Sequence, residues 1–152
     1  MLLPDAIAKS GSEDAIQTAL FAFIAMVALF GFKASYEWAE TGVVPTVRLP
    51  IIGLRWMHHI PNGGSRGSDA RSAQITGARL KAAGVKSGIS DILLPMRNKT
   101  FGGLYLEMKN AKGVLSASQV EFGEFVTSQN YQFATARTWR EAARIIETYL
   151  EN

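Results

Sequence analysis

The hydrophobic pattern is most informative between residues 88 and 109. Two short runs rich in Ile and Leu lie there, separated by a polar loop at residues 96–102. Short apolar runs on either side of a Gly-containing polar loop are typical of two adjacent antiparallel strands. Each run also carries a charge, Asp91 in the first and Glu107 in the second, where a buried strand normally has none.

The two charges are predicted to meet across this hairpin. The midpoint of positions 91 and 107 is Lys99, in the middle of the loop. A hairpin folded there places Asp91 opposite Glu107, with Cβ atoms about 4.5–5.5 Å apart. Because strand side chains alternate, Lys109 points to the same face as Glu107, whereas Met108 points into the core. Two carboxylates and one ammonium group therefore converge on one patch.

This patch is a candidate metal site. Two like charges this close are unfavourable unless a cation lies between them, and carboxylate oxygens suit Mg²⁺ or Mn²⁺. For Glu107 and Lys109 alone, a solvated ion pair on an exposed strand face is the alternative. That alternative does not require a second carboxylate at Asp91, so the sequence favours a metal site.

Helical and strand patterns flank the hairpin on both sides. Residues 31–55 contain two prolines that forbid a central strand and permit an edge strand or an extended arm. The other predicted elements are, in chain order, an apolar helix at 15–32 introduced by a capping box of Ser10 and Glu13, a short strand at 55–60, a helix from Ser68 or Asp69 to about Ala83, a helix at 117–129 with a capping box of Ser116 and Gln119, a strand at 131–136, and a last helix capped by Thr138. This order predicts an α/β fold with one mixed central sheet flanked by helices.

The helix at residues 15–32 is apolar in every direction and approaches the length of a membrane span. Acidic residues, including Glu13 and Asp14, precede it, whereas a signal peptide begins with a basic region. A helix that is apolar all round is equally well buried in protein. We expect it to lie between its own sheet and a second subunit, giving a homodimer through residues 15–30 and no membrane contact. A membrane-tethered interaction protein built on residues 15–32 is the alternative.

Composition and charge narrow the function. The 152 residues suit a single domain, 1–152, and the absence of cysteine excludes thiolate metal sites and fits the cytoplasm. Residues 62–112 hold nine of the 16 basic residues and three of the 13 acidic ones, a local net charge of +6. A basic region around an acidic pair suits a polyanion held over a metal ion.

Three motifs follow one another along the chain: GISD at 88–91, EMK at 107–109, and GVLS at 113–116 with Gln119 after it. In this order they resemble the virus-type replication and repair nuclease (VRR-NUC) family, a branch of the PD-(D/E)xK nuclease superfamily. The resemblance extends over about residues 12–150, except for 31–54. Ser90 stands where the superfamily has Pro, a position that only shapes the turn before the aspartate. The resemblance implies a PD-(D/E)xK, restriction-endonuclease-like core.

The resemblance also implies an activity, the metal-dependent hydrolysis of DNA at branched structures such as Holliday junctions, in replication, repair or recombination. Asp91, Glu107, Glu13 and the Met108 backbone carbonyl would hold Mg²⁺ or Mn²⁺. Lys109 would orient or deprotonate the attacking water. The family places a Glu at the start of the first helix and a Gln after the GVLS motif, which match Glu13 and Gln119 here. For both residues, a capping role alone is the alternative.

DNA contacts are predicted around the site. The run from His59 to Gly64, HIPNGG, resembles a family motif, so Asn62, Gly63 and Arg66 would face DNA, although a bare surface loop is the more common meaning of such a run. Lys86 and Ser87 precede Asp91 and would lie at the lip of the site. A catalytically silent DNA-binding module is a further alternative, which the complete set of two acids and a lysine makes less favoured.

Overall fold

A four-stranded mixed sheet forms the centre of the fold. In this computed structural model, which describes residues 2–61 and 70–152, the strands lie side by side in chain order: β1 (His58–His59), β2 (Ile92–Leu94), β3 (Leu104–Met108) and β4 (Gln132–Ala136). β2 is antiparallel to both β1 and β3, whereas β4 is parallel to β3. The predicted hairpin and mixed sheet are confirmed.

Helices cover both faces of the sheet. They are α1 (Pro4–Ile7), α2 (Glu13–Thr41), α3 (Ala70–Ala82), α4 (Ala117–Ser128) and α5 (Trp139–Glu151), with 3-10 turns at Ala8–Ser10 and Ile52–Trp56. α2 and α5 contact β3, whose Leu104, Leu106 and Met108 are buried. Across the sheet, α4 packs against β4, and its Phe122 ring meets Tyr105 edge-on at 5.1 Å. The predicted α/β architecture is confirmed.

The start of α2 differs from the prediction. Ser12 is the N-cap, and its Oγ accepts the Ala15 N–H at 3.3 Å. Ser10, predicted as the cap, instead ends the 3-10 turn, which Gly11 terminates in the left-handed conformation. The predicted capping box of Ser10 and Glu13 is therefore wrong, because residues 8–10 close a turn of their own before α2 begins. Glu13 is left with no capping partner at Ser10.

The helix also continues beyond its predicted end. Gly31 has φ 75° and ψ 170°, which breaks the helical geometry, yet the helical path resumes and runs to Thr41. Few residues other than glycine adopt this φ without strain. The Gly31 carbonyl accepts the Ser35 hydroxyl at 2.7 Å, so the break has its own local hydrogen bond.

An extended arm at residues 42–51 lies along this break. The N–H groups of Leu49 and Ile51 donate to the carbonyls of Leu29 and Ala28, at 3.2 and 3.1 Å. Pro50, between the two donors, has no N–H to lose. Of the two predicted structures for this segment, an edge strand or an extended arm, the arm is the one observed.

The apolar face of α2 is covered within one chain. Eight apolar residues of α2 before Gly31 are buried: Ile16, Ala19, Leu20, Phe23, Ile24, Met26, Val27 and Phe30. The helix packs against α1, α5 and the 3-10 turn at Ile52–Trp56 as well as the sheet. Elements other than the sheet thus also cover this helix within one chain, whereas Ala25 and Leu29 stay exposed. The homodimer through residues 15–30 stays a prediction.

By length and composition, α2 is apolar enough to cross a membrane, and it is the one such helix among the described residues. Its buried residues form part of the hydrophobic core together with those of β3 and α5. Core packing therefore accounts for the buried apolar residues of the helix.

The strand predicted at 55–60 is shorter than expected. Residues 52–56 form a 3-10 turn that buries Leu54 and leaves Trp56 61% exposed, so the ladder is limited to β1 and one further hydrogen bond, from Ile60 N–H to the Asp91 carbonyl at 2.7 Å. The predicted helix start at Ser68 or Asp69 lies outside the described residues.

Candidate active site

The two predicted carboxylates face each other beside the β2–β3 pairing. Ile92 pairs with Leu106, and the next residues outward from this pair are Asp91 and Glu107. The Oδ2 atom of Asp91 accepts the Met108 N–H at 2.8 Å, which fixes the carboxylate against β3. Glu107 is 1% exposed. The register predicted from the midpoint of the loop is therefore the observed one.

The two oxygens of Glu107 differ in their surroundings. Oε1 accepts a hydrogen bond from Lys109 Nζ at 2.7 Å and another from Gln119 Nε2. Oε2 is buried and has no hydrogen-bond donor in the described part of the chain. Lys109 is itself only 8% exposed, so the ion pair is shielded from water. A buried carboxylate oxygen without a donor favours a proton or a cation beside it.

Gln119 has two roles at once. Its Oε1 accepts the Ser116 N–H at 2.9 Å while Ser116 Oγ accepts the Gln119 N–H at 3.3 Å, which completes the predicted capping box of α4. Its Nε2 donates to Glu107. An amide side chain can accept through oxygen and donate through nitrogen, so the capping role and the site contact do not exclude each other. The start of α4 is thereby fixed against the carboxylate.

Burial raises the pKa of Glu107 from 4.5 to about 7, and the neighbouring charge of Asp91 acts in the same direction. The hydrogen bond and positive charge of Lys109 act in the opposite direction but do not cancel the effect of burial. The carboxyl group thus holds a proton near neutral pH unless another cation replaces it.

We expect the unfolding free energy of the metal-free protein to fall as the pH rises from about 5 to 7.5. The folded state binds the Glu107 proton more tightly than the unfolded chain, because the pKa is about 7 in the fold against an ordinary 4.5. This stabilisation is complete below the unfolded pKa and is lost as the pH rises through the folded one, with a total of about 3 kcal/mol at most. Urea unfolding at several pH values measures this pH dependence of the unfolding free energy.

The matched controls for this titration are Glu107→Gln and Glu124→Gln. The first removes the titrating group and should flatten the slope, whereas the second changes an exposed glutamate of α4 and should leave it unchanged. An unaltered slope in Glu107→Gln would assign the pH dependence to other groups.

The chemistry of the carboxylate pair fits a divalent cation. Mg²⁺ is commonly bound through one or two carboxylates, with water and phosphate oxygens as the other ligands. Among the residues that the structure describes, no group of three His, Asp or Glu side chains is arranged to hold an ion by itself. Asp91 and Glu107 therefore offer part of a coordination shell. Glu13 and the Met108 carbonyl stay predicted ligands.

Glu13 reaches from the start of α2 to the loop that follows β3. Its Oε1 accepts the Asn110 N–H at 3.2 Å and the Asn110 side-chain amide at 3.5 Å. A methyl group added at Gly113 would lie 3.2 Å from this oxygen and 3.0 Å from Lys109 Cδ. Glu13 and Lys109 thus both lie against Gly113, and Oε1 of Glu13 accepts hydrogen bonds from Asn110.

Part of the predicted DNA-contacting set can be placed. Lys86 and Ser87 are exposed, and the next residue, Gly88, has φ 87° and lies so close to Ser118 that a side chain there would collide with it. These two residues therefore lie beside the start of α4, next to Gln119. The predicted DNA contacts at Asn62, Gly63 and Arg66 lie outside the described residues.

Two residues at the site, Asn110 and Arg137, were not predicted from sequence. Asn110 shapes the loop after β3, and Arg137 Nη2 donates to the carbonyl of Gly113, the first residue of the GVLS motif, at 2.9 Å. The position of Arg137, directly after the strand that pairs in parallel with β3, is the signal that could have found it. This parallel pairing arises from the crossover through α4. The sequence predicted the helix and the following strand, and it did not specify which strand β4 pairs with.

No family model matches the chain, and no curated protein matches it. Its fold, however, is similar to that of a solved structure described as a VRR_NUC domain protein, with a TM-score of 0.61. The similarity covers 92% of this chain and 88% of that chain at 20% sequence identity. At this identity, the similarity establishes a shared fold, and the resemblance predicted from the motifs is confirmed at that level.

Proposed function

We propose that this chain is a cytoplasmic, Mg²⁺- or Mn²⁺-dependent deoxyribonuclease that hydrolyses phosphodiester bonds in branched DNA, such as Holliday junctions, during replication, repair or recombination. The observation that carries the proposal is the cluster that the buried Glu107 and Lys109 form with the half-buried Asp91 and Gln119. The fold shared with a VRR_NUC domain protein supports it independently.

In this proposal, Asp91 and Glu107 hold the divalent cation. The cation, when bound, neutralises phosphate charge and lowers the pKa of water. The Met108 N–H and the Gln119 amide keep the two carboxylates in place by donating to one oxygen of each. Glu107 Oε2, which has no hydrogen-bond donor in the described part of the chain, would be a ligand of the ion. Glu13, at the start of α2, is proposed as a further ligand of the cation.

Lys109 is proposed to act on the attacking water and on developing charge at the phosphate. In the described structure its ammonium group is paired with Glu107 and nearly buried. A bound cation would take over part of the Glu107 charge, and the ammonium would then be free to donate elsewhere. Charge stabilisation of this kind is strongest where water is excluded.

The proposal also includes a preference for branched DNA and a homodimer. Two sites related by two-fold symmetry would match a four-way junction, whose cleavable strands are themselves related by symmetry. Ala25 and Leu29 are exposed on α2, and the proposed dimer contact through residues 15–30 would use this side of the helix. The positive charge of residues 62–112 supports DNA as the partner in either case.

The proposal is tested with labelled duplex, flap and four-way-junction DNA incubated with purified protein and Mg²⁺, Mn²⁺ or EDTA. We expect cleavage with either metal, none with EDTA, and paired cuts on the junction with little cutting of plain duplex. Cleavage that persists in EDTA would remove the metal-dependent mechanism. Equal cleavage of duplex and junction would remove the branched-DNA preference and leave the nuclease.

A further inference from the structure

Arg137 directly follows β4, just as Lys109 directly follows β3. The parallel pairing joins Met108 to Ala136, and the Lys109 N–H continues the ladder by donating to the Ala136 carbonyl at 2.9 Å. The next residues after the two strands are therefore Lys109 and Arg137. Their backbones lie about 4.8 Å apart, the usual spacing of neighbouring strands. Both follow directly at the carboxyl ends of their strands.

The guanidinium group of Arg137 is held over the loop that closes the site. Nη2 donates to the Gly113 carbonyl at 2.9 Å, and Gly113 also lies against Lys109 and Glu13. A single hydrogen bond uses one of the five N–H donors that a guanidinium group carries. The side chain is exposed, so its other donors are accessible to a ligand.

No carboxylate of the described chain forms an ion pair with this guanidinium group. Glu141 Oε2 accepts a hydrogen bond from the Arg137 backbone N–H at 2.7 Å. Arg140 is different, because it pairs with Asp5 at 2.8 Å and stacks on the Trp139 ring at 4.4 Å. Arg140 therefore stabilises the junction between α1 and α5, whereas the charge of Arg137 has no such structural partner.

We propose that Arg137 binds a phosphate of the DNA backbone next to the one that is cleaved. The planar guanidinium fork matches two phosphate oxygens, and its attachment to Gly113 orients it in advance. The proposal rests on the proposed nuclease function and adds a DNA-contacting residue that lies outside the three motifs. Arg137 acts on binding and position, and no chemical step is assigned to it.

The test is binding of four-way-junction DNA in EDTA, by fluorescence anisotropy, over a series of salt concentrations. Arg137→Gln should weaken binding roughly tenfold at about 0.1 M salt and lower the slope of log K against log salt by about one. Arg137→Lys should keep the slope, since it keeps the charge. Arg144→Gln, an exposed arginine of α5, is the matched control and should bind as the wild type does.

Thermal melting separates a phosphate contact from a purely structural role. If Arg137→Gln melts earlier but keeps the wild-type salt slope, Arg137 only supports the loop and the inference is overturned. If the wild type binds and cleaves DNA while Arg137→Gln matches it in both, this inference alone fails. A wild-type protein that neither binds nor cleaves DNA would overturn the proposed function and this inference together.

Discussion

Glu107→Gln is expected to reduce DNA cleavage by on the order of 10²–10⁴-fold while the protein stays folded. The amide oxygen can still accept from Lys109 and Gln119, and the new NH₂ group takes the position of Oε2, which has no donor in the described structure. It can there donate to Asp91. The substitution therefore preserves the local hydrogen bonds and removes the negative charge that a cation requires.

Asp91→Asn and Lys109→Ala should reduce the rate of DNA cleavage by similar factors, for different reasons. Asn can still accept the Met108 N–H through its carbonyl oxygen, so the fold is expected to be kept. Lys109→Ala leaves Glu107 buried without its counterion, which should also lower stability. Rates on junction DNA with Mg²⁺, together with circular dichroism, measure the two effects separately.

Glu124→Gln is the control for these variants, because it makes the same change on the exposed surface of α4. Its rate should equal that of the wild type. Should Asp91→Asn and Glu107→Gln both retain cleavage within about threefold of the wild type, far from the expected 10²–10⁴-fold, the carboxylate pair would not be the metal site.

The second large effect concerns the core. Phe23→Asp should destabilise the protein by at least about 4 kcal/mol, because it removes a buried ring and buries a charge in its place. The Phe23 ring is fully buried and packs against those of Tyr36 at 4.8 Å and Trp139 at 5.0 Å. We expect insoluble or unfolded protein, which solubility and urea unfolding would detect.

Leu29→Asp is the matched comparison, since Leu29 lies on the same helix but is 42% exposed. Its cost should be about 1 kcal/mol or less. Light scattering adds the oligomeric state. If the wild type is a dimer and Phe23→Asp is a folded monomer, the Phe23 ring lies at a subunit contact and not in the core of one chain.

The hairpin was predictable because its signals are local. Two apolar runs around a polar loop fix both the pairing and its midpoint, and the period of two then assigns Glu107 and Lys109 to one face. The capping box at Ser116 is local in the same way. These short-range rules were sufficient to bring Asp91, Glu107 and Lys109 together before the fold was known, whereas the place of Gln119 at the site was implied by the family resemblance.

The remaining features depend on contacts between distant residues. The path of α2 past Gly31 depends on hydrogen bonds from an arm about twenty residues later, which no periodic pattern encodes. Leu54 is drawn into the core by a 3-10 turn and not by a strand. The approach of Glu13 to Asn110 joins residues 97 positions apart. Hydrophobic periodicity reports which face is buried, and it does not report what buries it.

Gln119 contacts both the Ser116 N–H and Glu107. Together, these two contacts restrict the residues that position 119 can accept more than either contact would alone. Glutamate satisfies the capping box but sets a third negative charge against Glu107, lysine donates to Glu107 but cannot accept the Ser116 N–H, and asparagine is one methylene shorter. Variants that drift away from glutamine must therefore lose the helix start, the carboxylate contact or both in one step. Selection for folding and selection for chemistry then act on the same codon.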